Sequence, residues 1–562
     1  MTYSDDASRR MHSDSARRIL MFGLFPVRLT YLLLATVGLA AILLRYPQGQ
    51  HETGNDSFVF HGLATHLLTD GRLTFVLNPL SYLGLYPLSY PTGSIFLTGN
   101  LSAVSGAPLE GCIFLADLLI SIVGMLTMFL LARGIVRNVP LAVLSSAIFV
   151  MAPSFLVASM WEVPTRITFT ALMPLFLWAL LRSARASGFL NYGILVLVLL
   201  TMMSFHRLAV LMALVLCAFI ITMVLVVCLR IARIRLPSLL LRAQVRKLFP
   251  LTGLFAFFGV FTLTLIGLGV LSEYSQGEIA SGTSVQVQAL NLGISLTRSA
   301  GLLLPFILVG IVSLGRRRNK TFAEPFFLVM TLVFVPTLIL RQYTGYYTIA
   351  ITSPIIAFGV LSVARRFFHT PRARATFLTL ALVFAIVGGE FVADYSARLN
   401  PPLDSTTYVT ALHLRVYQES TCITNDGLTG SRLSAISGMP YLPIGGSTTA
   451  FQGPEILVFG FISVGHLQIR PVPITQLTLE SDSTFTLDDV QAEADWAAIL
   501  SSDLSPGSSA YSAYAIRYVC ELRSLGAQFT AYGNTYSSPF LSQVHDSRYK
   551  VFEGDRESVW II

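Results

Sequence analysis

The stretch Gln48–Leu73, QGQHETGNDSFVFHGLATHLLTDGRL, comes after the first long apolar run and decides how the chain is read. It carries Glu52, Asp56 and three histidines, His51, His61 and His66. Phe60, Leu63, Ala64 and Leu67 recur at helical spacing, so the segment predicts a short helix. Asn55, Asp56 or Ser57 would cap it, being of the residue types that accept from the first free amides. Asp56 therefore stands at a helix start, one short linker beyond the first apolar run. An acid-bearing helix here demands a reason, because most of the chain beyond it, up to about residue 393, is apolar.

The 562 residues are 54% hydrophobic and 12% charged, against roughly 25% charged in average soluble domains. With a mean hydropathy of +0.67, this composition reads as an integral membrane protein. The net charge of +8 could suggest a nucleic-acid partner, but its distribution argues against one. The arginines lie in short clusters between apolar runs, as membrane anchors do. The five cysteines show neither CxxC nor zinc spacing. Residues 1–27 read as a basic cytoplasmic tail, without the short apolar core and small-residue cleavage site of a signal peptide.

A membrane helix needs about 20 mostly apolar residues, and roughly eleven stretches qualify. They lie near 28–46, 110–132, 139–159, 167–182, 189–205, 208–229, 249–271, 299–315, 322–340, 348–364 and 375–393. The fifth and sixth are one apolar block broken only by SFHR (204–207), too long for a single crossing, which predicts a tight hairpin. Arginines near 9–18, 133–137, 182–185, 230–246, 316–318 and 365–374 all fall on one side for this span count. The positive-inside rule makes that side the cytoplasm and puts the C-terminus outside.

Three regions then lie outward. The loop 46–108 contains the Asp56 helix, the Tyr- and Pro-rich LNPLSYLGLYPLSYPTG, and a second short helix near Thr92–Val104 expected to rest in the interface. Residues 273–298 form a second long loop that could be a lid. Residues 394–562 turn polar and read as an extracytoplasmic α/β domain. There STCITND and EILVFGFI read as strands, DDVQAEADWAAIL as a helix, and SRYKVFEGDRESVWII as a closing hairpin. Cys422 and Cys520 could pair there or stay as two thiols.

A long first outer loop with an acid soon after span one, then two interfacial helices and YPLSYPTG ahead of span two, resembles the GT-C glycosyltransferases. ITNDGLTGSRLSAISGMPYLPIGG and RYKVFEGDRESVWII are similar to outer domains of uncharacterised archaeal members. The resemblance implies a GT-C-like transmembrane domain over 28–393 and a polyprenyl-phosphate-linked sugar donor. The acceptor would be a glycan, lipid or protein, and the acid after span one, Asp56, would be the catalytic base. A carboxylate accepting the acceptor's proton is worth typically 10²–10⁴-fold.

The leaving phosphate needs a cation. Arg341, opening RQYTGYY, is favoured by the resemblance; Arg207, beside His206 in SFHR, and Arg166 in WEVPTR are further candidates, each also readable as an interfacial anchor. Glu162 of WEVPTR could be a second catalytic acid or one half of a surface pair with Arg166. Glu52 could help bind a divalent ion with Asp56, Mg²⁺ or Mn²⁺ being suited to oxygen ligands, or be a solvated loop acid. His61, His206, Tyr343 and Tyr346 are candidate substrate contacts, the tyrosines equally an aromatic belt with Tyr347. No P-loop or GxGxxG precedes a helix, which argues against a nucleotide-sugar donor.

Competing readings are an oligosaccharyltransferase, though the WWD tripeptide of that family is missing, and a non-catalytic GT-C-like glycolipid-binding protein. A transporter is the third, for which Asp117 in span two is one of few intramembrane charges.

Overall fold

The computed structural model describes residues 27–47, 49–71, 73, 79–83, 90–136, 138–185, 188–233, 285–317, 320–340, 345–399, 402–417, 420–439, 441–443, 516–531 and 534–561. Helix α1 (Val27–Leu43) comes first, and α2 (Asn55–Asp70) and α3 (Gly93–Ser105) follow in the connection before the next long helix. Next come α4 (Leu109–Ile135), α5 (Val139–Val150), the short α6 (Pro153–Val157), α7 (Thr165–Arg185), α8 (Phe189–Phe205) and α9 (Met212–Arg233). After these are α10 (Val285–Ala300), α11 (Pro305–Arg316), α12 (Ala323–Leu340), α13 (Gly345–Phe367) and α14 (Pro371–Leu399).

Helices thus occupy every expected apolar stretch except 249–271, which lies outside the described residues. Among the described residues four helices are long and apolar enough to cross a membrane alone, five if the bent pair α10–α11 is taken as one span. Phe189, Leu190 and Leu197 on α8, and Phe384, Val387 and Phe391 on α14, are exposed. Apolar side chains turned outward in rows are what lipid, not water, accepts. Inside, a continuous core gathers Met128, Phe149, Phe169, Phe176, Phe219 and Phe326 from successive helices.

Two expectations change here. Residues 285–298, read as part of an outer lid, are helix α10, which meets α11 at 85°. The SFHR break is real, with α8 ending at Phe205 and a short 3-10 turn at Arg207–Leu211. The two helices do not pack as a hairpin, however: α8 lies on α7 and α9 on α12.

The C-terminal region begins with α15 (Ser405–Leu414), β1 (Thr421–Thr424), α16 (Gly427–Ser437) and β2 (Tyr441–Pro443). It continues with β3 (Ile516–Leu522), a small β4–β5 hairpin (Gln528–Ala531, Asn534–Ser537), α17 (Pro539–Ser547), β6 (Tyr549–Glu553) and β7 (Glu557–Ile561). The sheet order is β2-β1-β3-β7-β6, with β1 parallel to β2 and β3, and β7 antiparallel to β3 and β6. The β6–β7 hairpin is the one expected, closed by the Gly554 amide donating to Glu557 O at 2.8 Å. Cys422 and Cys520 are joined in a disulfide between neighbouring strands, Cα atoms 5.9 Å apart. The strand expected at EILVFGFI and the helix at DDVQAEADWAAIL lie outside the described residues.

Helix α16 lies along α2. Thr65 Oγ1 donates to Ala435 O at 3.0 Å, Phe58 packs with Leu403 and Ala435, and the Arg432 guanidinium stands 5.4 Å over the Phe58 ring. The acid-bearing loop is therefore clamped from above by the C-terminal region and rests below on Leu109, Ile113 and Val163.

Candidate functional site

The helix expected around Asp56 is present as α2, but neither Asn55, Asp56 nor Ser57 caps it. The cap is Gly54, at φ 84° and ψ 152°, a conformation nearly restricted to glycine. The reason is long-range. The Glu162 carboxylate sits against Gly54 so closely that a Cβ there would stand 2.7 Å from Oε1. The Ser57 hydroxyl is drawn away from the helix end, donating to Glu52 Oε1 while accepting from the Val163 amide at 2.5 Å. Asp56 thus stands in the first turn of α2, with the Glu162 carboxylate beside that helix's positive end.

Glu52 is completely buried. Its Oε2 lies 2.5 Å from His61 Nδ1. Its backbone amide donates to Glu110 Oε1 at 2.8 Å, and its carbonyl accepts from Leu403 at 2.9 Å. Glu110 in turn meets His51 Nδ1 at 3.2 Å, and the His51 ring stacks on Tyr408 with centroids 4.1 Å apart. Glu52 and His61, expected among the substrate or ion contacts, are therefore the post on which the loop is hung. Both Glu52 oxygens are engaged, one by Ser57 and the other by His61. Among the described residues no group of three or more histidines, cysteines or acids is arranged to hold a metal.

The loop carrying Glu162 is pinned from both sides. Thr53 donates from its amide to Trp161 O at 3.0 Å and from its hydroxyl to Met160 O at 2.6 Å. Trp161 adopts φ 63°, rare for a bulky residue, and its indole donates to Glu110 O at 2.9 Å. That twist directs the Glu162 amide onto Asp117 Oδ2 at 3.0 Å. Asp117 is fully buried in α4, and its Oδ1 has no donor among the described residues. Near it lies Arg45, also fully buried, which donates to Ser159 Oγ at 2.8 Å, Ala41 O at 2.7 Å and Val150 O at 3.0 Å. Its guanidinium feels the charges of Asp117 and Glu390.

Four acids, Glu52, Glu110, Asp117 and Glu162, are thus gathered under and beside the first turn of α2. Glu110 and Asp117 come from α4, and Glu52 and Glu162 from the loops before α2 and α7. Arg45 and Glu110 were not among the residues singled out as candidates, and Asp117 was noted only as an intramembrane charge. A signal was available for Arg45, an arginine that falls at the C-terminal end of the first apolar run.

Arg166 is half-buried in the first turn of α7, one turn beyond Glu162. His206 is buried at the α8 break, its Nδ1 accepting from the Leu208 amide at 3.2 Å, between the rings of Tyr90 and Phe169. Arg207 begins the 3-10 turn and Tyr346 the first turn of α13, and their side chains lie outside the described residues, as does that of Asp56. Arg341 and Tyr343 fall wholly outside them. Tyr347 is not an interfacial belt residue: it is fully buried, edge-on to Phe169 at 5.3 Å.

No family model matches the sequence, and no curated protein matches it. Solved structures do match in fold. The apo oligosaccharyltransferase of Archaeoglobus fulgidus superposes with a TM-score of 0.56 at 13% identity, over 90% of this chain and 70% of that one. The archaeal oligosaccharyltransferase AglB from Archaeoglobus fulgidus, in complex with an inhibitory peptide and a dolichol-phosphate, gives 0.54 at 12%, over 88% and 69%. ArnT from Cupriavidus metallidurans bound to undecaprenyl phosphate gives 0.52 at 13%, over 94% of this chain and 97% of that one. The apolar outward faces, the apolar helices and these neighbours together make this a membrane protein with the GT-C fold.

Proposed function

We propose that the chain is an inverting glycosyltransferase that moves a sugar from a polyprenyl-phosphate carrier to an acceptor hydroxyl on the outer membrane face. The observation that carries this reading is the braced acid cluster at the first turn of α2, in a GT-C fold whose solved neighbours hold polyprenyl phosphates. So much hydrogen bonding spent on fixing one loop is what a preorganised site requires. In the proposed step the Asp56 carboxylate takes the proton of the acceptor hydroxyl. That oxygen bonds to the anomeric carbon as the bond from this carbon to the phosphate oxygen breaks. The phosphate leaves with the electron pair, and a guanidinium neutralises it, Arg341 first among the candidates, with Arg166 and Arg207 after it. Glu162, beside the helix end, tunes or shares the work of the base. Tyr343, Tyr346 and His206 are the proposed donor contacts.

The orientation proposed puts the basic helix ends in the cytoplasm and the C-terminal region outside, with eleven spans in all. The Cys422–Cys520 bond supports an oxidising outer face. Glycan transfer to a peptide is the second reading, favoured by the archaeal neighbours. The near-complete overlap with the Cupriavidus protein favours the first.

Reconstitution of the full chain with polyprenyl-monophosphate sugars and with polyprenyl-diphosphate glycans separates the readings. Mass spectrometry of the lipid product should show polyprenyl monophosphate accumulating with an added acceptor. Product from diphosphate glycans alone would transfer the case to the second reading. Donor binding without turnover of either class would overturn both.

A further inference from the structure

Helices α11 and α13 touch backbone to backbone at one point. A Cβ on Gly310 would stand 2.0 Å from Ile355 O, and one on Gly359 2.2 Å from Phe306 O. Small residues permit such an approach between membrane helices, and nothing larger fits. From this crossing both helices run on toward their C-terminal ends and part, leaving a wedge with a cavity of about 600 Å³. Leu308, Val309 and Val312 line its depth, and Arg316, Arg317 and Arg366 its mouth. The apolar three are exposed, so the wedge opens sideways onto the surface that lipid covers. Ser313 and Ser362 stand between the two zones, adding hydroxyl donors.

The arginines exceed what the helix ends need. Lys320 Nζ already serves the Gly315 carbonyl at the end of α11, at 2.7 Å, and Arg317 pairs with Glu324. Arg316 and Arg366 remain exposed on the two sides of the mouth. Two guanidiniums facing a gap above an apolar slot match an anion joined to a hydrocarbon chain. Arg366 stands twenty residues along α13 from Tyr346, about 30 Å of helix, so this is not the donor site.

We propose that the wedge binds one anionic phospholipid, its phosphate between Arg316 and Arg366 and its acyl chain along Leu308, Val309 and Val312. The lipid would splint α11 to α13 where their own contact ends. It would sit in the leaflet facing the basic helix ends.

Native mass spectrometry of the full-length protein tests this, with phosphatidylglycerol and phosphatidylcholine of matched chains added separately. Phosphatidylglycerol should be retained and phosphatidylcholine lost. Arg316→Gln with Arg366→Gln should weaken phosphatidylglycerol roughly 25-fold, about fivefold for each guanidinium. Val312→Trp, which fills the slot and leaves every arginine, should weaken it as well, and decides the matter if the double variant does not fold. Equal retention of both lipids, or unchanged affinity in Val312→Trp, would overturn the proposal. So would millimolar inorganic phosphate displacing the lipid as well as phosphatidylglycerol itself, since that would leave an ion site without a lipid slot.

Discussion

Gly54→Ala is the smallest change that reaches the centre of the braced loop. Two costs should add. An L-residue held at φ 84° and ψ 152° costs about 1–3 kcal/mol. The new methyl would also stand 2.7 Å from Glu162 Oε1, 2.8 Å from its Cδ and 3.0 Å from its Cγ. Displacing that packed carboxylate costs about 1–3 kcal/mol more. Gly71, at the other end of α2, is the matched control. It has φ 72° but nothing within 4 Å of its added Cβ, so Gly71→Ala should cost only the left-handed penalty, about 1–2 kcal/mol. Unfolding of the purified protein, tracked by tryptophan fluorescence, should therefore place Gly54→Ala below Gly71→Ala by at least about 1 kcal/mol. Glu162→Ala removes all three crowding atoms. In the Gly54→Ala background it should restore most of that gap, a coupling that a double-mutant cycle reads directly. If the two glycine variants are equally stable, or if Glu162→Ala gives no relief, the Glu162 carboxylate does not sit on the start of α2.

Other contacts give further expected outcomes. Arg45→Met strips a buried cation of three hydrogen bonds and leaves Asp117 facing Glu162 without it. It should destabilise by about 3–5 kcal/mol, and Asp117→Asn in the same chain should recover part of the loss in a thermal melt. Changing Cys422 and Cys520 to serine opens a loop of sequence separation 98. It should destabilise the C-terminal sheet by about 4 kcal/mol, seen as earlier proteolysis of that region. Asp404 caps α15 and gives the pH dependence. Burial alone would raise its carboxyl, but bonds from Thr406, Thr407 and Arg556 outweigh this and hold it well below the usual range. Its support is therefore complete at neutral pH and lost as pH falls from about 4 through the lower folded value. Asp404→Ala should cost about 1–2 kcal/mol at pH 7, a difference that shrinks in denaturant titrations below pH 4. A pH-independent difference would contradict the assignment. Glu557, raised by burial against its bond from Thr407, acts in the opposite sense, losing support as pH rises through its folded value.

What the sequence disclosed and what it hid divide along the range of the interactions. The helix at 93–105 and the break after Phe205 were legible because local composition sets them. The cap of α2 was not. Ser57 has the right chemistry for capping, but its hydroxyl is claimed by Glu52 and by an amide 106 residues away. Glu52 looked like a solvated acid because nothing nearby in sequence announces its burial; Glu110 and Leu403, which fix its backbone, come from distant segments. Asp117 read as a lone charge in an apolar span, and its partner is the Glu162 amide beyond a strained tryptophan. Helix α10 was mistaken for loop because its polar residues at 286–298 lower its hydropathy below a span's. The candidate acids Glu52 and Glu162 converge in the structure; the arginines proposed for the phosphate were chosen by helix-end position, which carries no such constraint.

The most direct measurement is single-turnover sugar transfer by Asp56→Asn in the reconstituted full chain, alongside donor binding and thermal stability of the same preparation. Asn keeps the shape of the side chain and the helix start but cannot take a proton. Transfer should fall by at least about a hundredfold with binding and melting unchanged. Transfer at the unsubstituted rate, with the protein equally folded, would show that the base lies elsewhere.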